Sequence, residues 1–329
     1  MSPSACQQLM DKVIGPGLCV ACGACVNLCP YFSFYDGRVA LTDQCDREEG
    51  RCHQVCPRLE DAAPRDETAE SPIGPVKDVF TACMPKDGMK PKVQYGGIVT
   101  AILTRALKDG LVAAAIVTDK GGDGFPHGVV ARDIDAVMAN AGSRYAGAAA
   151  LSAFNRAVND GWTNLAVVGL PCQATAVRRL AAADGARQAG LSVGLFCTWA
   201  LDHRRLQAFL AEQDVHRAYR YDIPPPPANV FQVFTPEAVR EFPLDMIRPL
   251  VMKGCSRCPD MTAEEADISI GAVEGTPGWN TVIVRTDKGA EVIRLMQKKG
   301  DLEIRPLPAG NLDHLKDAAA LKRRRASSK

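Results

Sequence analysis

Four thiols at Cys19, Cys22, Cys25 and Cys29, closed by Pro30, carry the chemistry most readily read from this chain. Their spacing is that by which bacterial-type ferredoxin segments grip an iron–sulfur cube. Short gaps let three sulfurs converge on one cluster, Gly23 lets the backbone curl around it, and the fourth thiol points away toward a neighbouring cluster. The competing reading, a zinc knuckle, fits less well, because zinc sites pair C-x2-C elements that lie far apart in sequence. One-electron transfer is the expected chemistry.

A second half-motif follows in degenerate form. Cys52 holds the slot four residues before Cys56-Pro57, but the slots seven and ten residues before it are Glu49 and Asp46, with Cys45 one place off. Cys19, Cys22, Cys25 and Cys56 would complete one cluster in the ferredoxin manner. Cys29, Cys45 and Cys52 leave a second cluster one ligand short, to be filled by Cys6, Cys83, a carboxylate, His53 or nothing.

A further set of thiols lies downstream. Cys172 and Cys197 each follow a strand-like run, and Cys255 opens a C-x2-C pair with Cys258. In an open α/β sheet the ends of adjacent parallel strands converge on one crevice, so four sulfurs distant in sequence can meet there. Taken singly, Cys172 and Cys197 read as buried inert thiols; as a set of four they read as a metal site.

The elements that must position these groups divide the chain into residues 1–60, a cysteine-rich ferredoxin-like segment; 61–75, a polar linker rich in Pro, Ala and Glu; 76–310, a core; and 311–329, a basic tail. Within the first, 31–34 and 37–41 read as a short hairpin. In the core, 98–107, 152–159, 203–213 and 291–299 read as helices, the last closing the fold. Residues 112–118, 165–169, 191–196 and 281–286 read as strands. A Gly-rich turn is expected at 121–124 and a stiff proline connector at 224–227. This alternation predicts an α/β fold, a mainly parallel sheet flanked by helices. Lys322-Arg323-Arg324-Arg325 reads as a solvated, frayed end. His127 and His203 read as solvated rather than as proton donors.

Composition narrows the function classes. Thirteen cysteines in 329 residues, behind an N-terminus without signal-peptide character, suit a reducing compartment and metal-bound thiols better than disulfides. A cytoplasmic location is expected. No run approaches a membrane span, and a net charge of +1 gives no footprint for nucleic acid. The absence of a C-x3-C-x2-C run disfavours a radical-SAM enzyme.

Several stretches resemble one known family. Gln94-Tyr-Gly-Gly-Ile-Val-Thr-Ala-Ile-Leu-Thr-Arg-Ala-Leu107, Gly142-Ser-Arg-Tyr145, Val168-Gly-Leu-Pro-Cys-Gln173, Gly194-Leu-Phe-Cys197 and Gly254-Cys-Ser-Arg-Cys-Pro-Asp260 are similar, in order, to the family of coenzyme F420 hydrogenase/dehydrogenase beta subunits. So are Ala266-Asp-Ile-Ser-Ile-Gly271 and Thr281-Val-Ile-Val-Arg-Thr286. Members are iron–sulfur flavoproteins with FAD beside a [4Fe-4S] cluster; they include deazaflavin-dependent hydrogenase and formate dehydrogenase subunits and 7-hydroxymethyl chlorophyll a reductase.

The resemblance implies that Cys172, Cys197, Cys255 and Cys258 hold the flavin-proximal cluster. It also implies that Gln94, Tyr95, Gly96, Gly97 and Thr100 lie against FAD, with Ser143, Arg144 and Tyr145 nearby. The Gly96-Gly97 pair bares backbone N–H groups at a helix start, a natural seat for a pyrophosphate; taken alone, it could equally be a plain tight turn. Arg144 would offer charge to phosphate and Tyr145 a stacking face. Two departures stand out: Tyr95 where the family commonly has an acid, and Ala272 where Asp is usual.

The expected function is an oxidoreductase linking a one-electron carrier such as ferredoxin to a two-electron organic partner such as coenzyme F420, through two [4Fe-4S] clusters, with a third left open, and FAD. The rival is a relay subunit of a larger complex, with hydrogenase- or dehydrogenase-type partner subunits. The sequence is compatible with a monomer, a homo-oligomer or a subunit.

Overall fold

The computed structural model describes residues 3–59, 71–85, 94–119 and 125–327. The Gly-rich turn at 121–124 and the stretch 61–70 of the expected linker lie outside them.

The N-terminal unit opens with α1 (Ala5–Leu9), where the Ser4 hydroxyl accepts from the Gln7 N–H at 3.2 Å. A π-helical turn at Met10–Ile14 leads into the cysteine loop. β1 (Phe32–Tyr35) and β2 (Arg38–Leu41) form the expected hairpin. Its two turn residues, Asp36 and Gly37, both take positive φ, which matches the right-handed strand twist. α2 (Arg51–Val55) ends the unit.

The core begins with β3 (Asp78–Cys83), α3 (Ile98–Lys108), β4 (Ala114–Thr118), β5 (Gly128–Ala131) and α4 (Ile134–Ala139). It continues through α5 (Ala150–Asn159), β6 (Leu165–Gly169), α6 (Pro171–Ala183), β7 (Leu191–Leu195) and α7 (His203–Glu212). β8 (Arg220–Asp222), β9 (Val230–Phe234) and β10 (Val239–Pro243) form a separate antiparallel sheet, which the sequence pattern did not signal, followed by α8 (Leu244–Ile247). β11 (Ile268–Ala272), β12 (Asn280–Val284), α9 (Asp287–Lys298), β13 (Glu303–Arg305) and α10 (Asn311–Ser327) complete the order.

Among the described residues the main sheet has eight strands in the order β13-β3-β12-β11-β7-β6-β4-β5. Its centre, β11-β7-β6-β4, is parallel, and antiparallel strands extend both edges. The class is thus the expected α/β sheet flanked by helices. The central strands are near-continuous apolar runs because both faces are covered. Ile102, Leu103, Val193, Ile270 and Val282 pack on one face, and Ile116, Leu151, Phe154, Val167 and Leu180 on the other. Each such fully buried side chain stabilises the fold by roughly 1.5–3 kcal/mol.

The cysteine-rich unit shares this second face. Val20, Cys22, Ala24, Leu28 and Val55 belong to the same apolar cluster as Phe154 and Leu180. The Leu151 N–H donates to the Cys22 carbonyl at 3.1 Å, and the Asn155 amide donates to the carbonyls of Ala24 and Val26 at 2.8 and 2.9 Å.

Four expectations need correction. Residues 71–75 are not linker: Ile73 is fully buried, and Arg285 donates to the carbonyls of Ile73 and Pro75. The helix over α9 does not close the fold, since β13 and α10 follow it. The basic tail is not frayed, because α10 runs through it and docks with Lys322 buried. His203 is buried against Phe125, with ring centroids 4.7 Å apart. Among the described residues no helix is long and apolar enough to cross a membrane.

Candidate functional site

The cysteine loop bends through positive-φ positions at Ala21, Gly23 and Asn27. A Cβ on Gly23 would lie 2.8 Å from the Ala149 carbonyl carbon, so only glycine allows this approach to the core. The loop turns Cys19, Cys22 and Cys25 toward Cys56 at the end of α2, and these four thiols, with Leu9, Val13 and Val39, ring one small cavity. Burial, reinforced by the neighbouring thiols, pushes Cys19 up to about 11 and Cys22 up to about 12, and raises Cys25 well above its ordinary value. Four buried thiols that oppose one another's ionisation are poorly matched to a bare cavity; a bound metal reverses that balance by deprotonating its sulfur ligands.

Cys29, Cys45 and Cys52 pack against the same N-terminal apolar cluster and lie close enough to influence one another. The Cys6 thiol of α1 sits among them. Cys25 also feels Cys52, so the two N-terminal sets adjoin.

The third set forms where the parallel strands end. Pro171 opens α6 directly after β6, with Cys172 in its first turn, and Gln173 anchors that turn by accepting from the Leu170 N–H at 2.8 Å and donating to the Ala148 carbonyl at 2.9 Å. Cys197 follows the adjacent β7. Cys255 lies in a 3-10 turn over Lys253–Arg257, its sulfur accepting from the Ala200 N–H at 3.4 Å. Cys258 donates to the Asp260 carbonyl at 3.5 Å. Cys172, Cys197, Cys255 and Cys258 are electrostatic neighbours, and Cys172 also feels Cys22 of the first set.

Two cations that sequence reasoning missed face this third set. Lys322 of α10 is 3% exposed, and its Nζ donates to the Cys197 carbonyl at 2.5 Å. Arg58 donates through Nη1 to the Arg257 carbonyl at 2.9 Å, and its buried Nε has no hydrogen-bond partner. Its charge faces Cys258, Cys172 and Cys255 on one side and Cys56, Cys19 and Cys22 on the other. Burial alone would raise the Cys258 thiol, but Lys322 and Arg58 outweigh it and hold Cys258 below its ordinary value. Burial still pushes Cys197 up to about 12, with Lys322 opposing. Among the described residues no group of three or more His, Cys, Asp or Glu is placed to hold a single metal ion.

Beside the third set lies a cavity of about 580 Å³. It occupies the crevice at the carboxyl ends of β4, β6, β7 and β11, where α/β sheets bind ligands. Gln94, Tyr95, Gly97, Thr100, Ser143, Arg144 and Tyr145 are all on its wall, and so is Cys197. Gly96 is not: a Cβ there would meet the Ala82 carbonyl oxygen at 2.6 Å and Asn280 Oδ1 at 2.7 Å, so this glycine serves close packing on β3 and β12. No side chain caps the start of α3 at Gly97, apart from Asn280 Oδ1 accepting from the Ile98 N–H at 3.4 Å.

The wall is braced by hydrogen bonds that long-range folding creates. The hydroxyls of Tyr95 and Tyr145 both donate to Asp222 Oδ1, at 2.8 and 3.1 Å. Gln94 donates to the Tyr221 carbonyl at 2.9 Å and accepts from the Ser143 N–H at 2.6 Å. Burial and then Asp222 raise both phenols above their ordinary pKa. Arg144 donates to the carbonyls of Asp119 and Gly142, at 3.0 and 2.9 Å. Tyr145 meets Phe231 edge to face at 5.9 Å. Pro224, Pro225 and Pro226 line the cavity, so the proline run is wall as well as connector. Also unforeseen are Glu274 and, from α10, Asn311, His314 and Leu315 on the same wall. His314 Nδ1 lies 3.2 Å from Glu274 Oε2.

Comparison with known proteins places these features in one lineage. Residues 79–155 and 162–309 match the family described as coenzyme F420 hydrogenase/dehydrogenase beta subunit, in its N-terminal and C-terminal parts. Residues 12–33 match a 4Fe-4S binding domain. The coenzyme F420 hydrogenase subunit beta of Methanothermobacter thermautotrophicus is 30% identical over 245 residues, covering 71% of this chain and 86% of that protein. The coenzyme F420-dependent sulfite reductase of Methanocaldococcus jannaschii is 29% identical over 312 residues, covering 88% of this chain. The chain spans 48% of that reductase's length. A chain of the F420-reducing [NiFe] hydrogenase complex from Methanosarcina barkeri superposes with a TM-score of 0.72 at 28% identity, covering 78% of this chain and 92% of that one.

Proposed function

The chain belongs to the family of coenzyme F420 hydrogenase/dehydrogenase beta subunits, and from that membership we propose that it is an iron–sulfur flavoprotein passing electrons between [4Fe-4S] clusters and FAD. It would link a one-electron carrier, such as a ferredoxin, to a two-electron organic partner such as coenzyme F420. One observation carries the reading: Cys197 is both a neighbour of Cys172, Cys255 and Cys258 and part of the wall of the large cavity. A cluster held by those thiols would therefore adjoin whatever the cavity binds.

When bound, FAD supplies the exchange between single electrons and electron pairs. Everything else falls to the chain's own residues. Cys19, Cys22, Cys25 and Cys56 would hold one cube, and Cys172, Cys197, Cys255 and Cys258 another. Arg58 and Lys322 offset the negative charge that thiolate ligands bring to a low-dielectric interior. Gly97 opens α3 at the cavity wall, where the first-turn amides would receive an anionic group of the cofactor. Tyr95, Tyr145 and Gln94, fixed through Asp222 and Tyr221, hold that wall in one shape. Ser143 and Thr100 add short polar contacts, and Arg144 adds a cation.

The names of the relatives favour a second role within the same chemistry. The M. thermautotrophicus protein is named as a hydrogenase subunit, and the solved M. barkeri chain comes from a hydrogenase complex. A relay subunit would copurify with a partner and need it for turnover, whereas a free-standing reductase would turn over a small molecule alone.

The decisive measurement is anaerobic purification with iron, sulfide, zinc and flavin quantified on one sample. About one FAD and about eight or more irons per chain are expected, four for each set of four thiols. Zinc without sulfide or flavin would overturn the redox reading.

A further inference from the structure

We propose that Cys6 is the fourth ligand of a second N-terminal cluster, completed by Cys29, Cys45 and Cys52, an assignment that rests on the iron–sulfur reading above. Cys6 lies outside both the ferredoxin spacing and the matched 4Fe-4S segment at 12–33. Its position in the fold, not in any motif, singles it out.

The degenerate half-motif puts Asp46 and Glu49 in the slots where two more thiols are expected, and both side chains are exposed, as are Asp43 and Glu48. A carboxylate from this loop is therefore turned to solvent. Cys83 is held on β3 in the main sheet, opposite Glu303 of β13, and is not part of the N-terminal apolar cluster. Cys6 is 1% exposed and belongs to that cluster together with Cys52, while Cys29 and Cys45 pack against it. Its thiol lies close enough to those of Cys45, Cys52 and Cys29 to interact with all three.

The chain is built to bring α1 here. The Ala5 N–H donates to the Arg47 carbonyl at 2.8 Å, tying the helix to the loop between Cys45 and Cys52. A Cβ on Gly50 would lie 2.9 Å from the Ala5 Cβ and 3.3 Å from the Cys52 sulfur, so glycine opens the gap through which α1 and α2 meet. Asp46 and Glu49 replace motif cysteines, and an upstream helix supplies the missing thiol. Twelve of the thirteen cysteines then fall into three sets of four, with Cys83 left over in the sheet. The sets adjoin in series: Cys52 neighbours Cys25, Cys22 neighbours Cys172, and Cys197 reaches the cavity.

The test uses the full chain purified anaerobically, with iron and acid-labile sulfide per chain and the EPR spectrum of the dithionite-reduced protein. Wild type should carry about twelve irons, four for each set of four thiols. Cys6→Ser, close to isosteric, and Cys52→Ser should each lose between about one and four of these irons and alter the same EPR component. Cys83→Ser should keep all of them. The signals of the other two sets serve as the check that the variants fold. Full iron and an unchanged spectrum in Cys6→Ser would overturn the ligand assignment, as would about eight irons in the wild type. Wild type devoid of iron and sulfide would instead overturn the iron–sulfur reading on which it rests.

Discussion

Lys322 Nζ donates to the carbonyl oxygen of Cys197 at 2.5 Å, across 125 residues of sequence. The contact places a buried ammonium beside the third thiol set and fastens α10 over the cavity that its own Asn311, His314 and Leu315 help to line. A positive charge in a low-dielectric site stabilises the more negative, reduced form of a neighbouring cluster. Lys322→Met should lower the midpoint potential of that cluster by tens of millivolts, on the order expected for one unit charge at an effective dielectric near 20. Lys322→Arg should restore most of it. EPR-monitored potentiometry reads the shift, and an unchanged potential in Lys322→Met would refute the charge-compensation role.

Cys172 joins the third set to the first, since it neighbours both Cys258 and Cys22. Cys172→Ser should lose up to about four irons, the content of one cube, while keeping the signals of the N-terminal sets. Flavin reduction driven by a one-electron donor should then slow by at least about tenfold, a barrier increase of about 1.4 kcal/mol. Stopped-flow absorbance measures it, and reduction at the wild-type rate would sink the assignment.

Arg285 is 6% exposed and organises the junction between β11 and the segment around Ile73 and Pro75 that leads into β3. It donates to Ser269 Oγ at 2.7 Å, to the Ile73 and Pro75 carbonyls at 2.9 and 2.8 Å, and to the Thr262 carbonyl and hydroxyl at 3.0 and 2.9 Å. Burial holds its pKa down to about 10, with Asp260 opposing, so it stays charged at neutral pH. Arg285→Met strands several buried acceptors and should destabilise the protein by about 3–5 kcal/mol. Urea denaturation checks this; a loss below about 1 kcal/mol would show that water takes over those acceptors.

The phenols of Tyr95 and Tyr145 share Asp222, and both are raised above the ordinary tyrosine value by burial first and Asp222 second. The sign follows from linkage. Above about pH 10 the unfolded chain releases these protons while the folded protein keeps them, so stability falls as pH rises, by up to about 1.4 kcal/mol per pH unit for each phenol. Tyr95→Phe should remove one proton's share of that slope and leave it unaltered below about pH 9. Denaturation midpoints between pH 8 and 11 provide the test, and parallel curves for the two proteins would contradict it.

Much of the architecture is legible because it is local. The helix at 98–107, the strand at 165–169 and the hairpin around Asp36-Gly37 each follow from periodicity or turn chemistry over a few residues, and the structure places them there. The crevice follows too, since parallel strands that end together must open one; seven of the eight residues that the family resemblance sets against or near FAD line that cavity. Gly96 differs because nothing in its neighbours reveals that Ala82 and Asn280 crowd its Cα.

The sequence by itself determined the chemistry: spaced thiols at Cys19, Cys22 and Cys25 are a ligand pattern wherever the chain goes, because a cube is gripped by residues a few bonds apart. Only the tertiary structure decided which distant groups gather around those thiols. Cys6 reaches Cys52 through α1, Arg58 settles between two thiol sets, and the tail read as solvated becomes a helix that buries Lys322. The reason is physical. Burying a charge is costly unless opposite charge awaits it, and much of that compensation comes from distant parts of the chain, as when Lys322 meets the Cys197 carbonyl across 125 residues, which no local pattern can register.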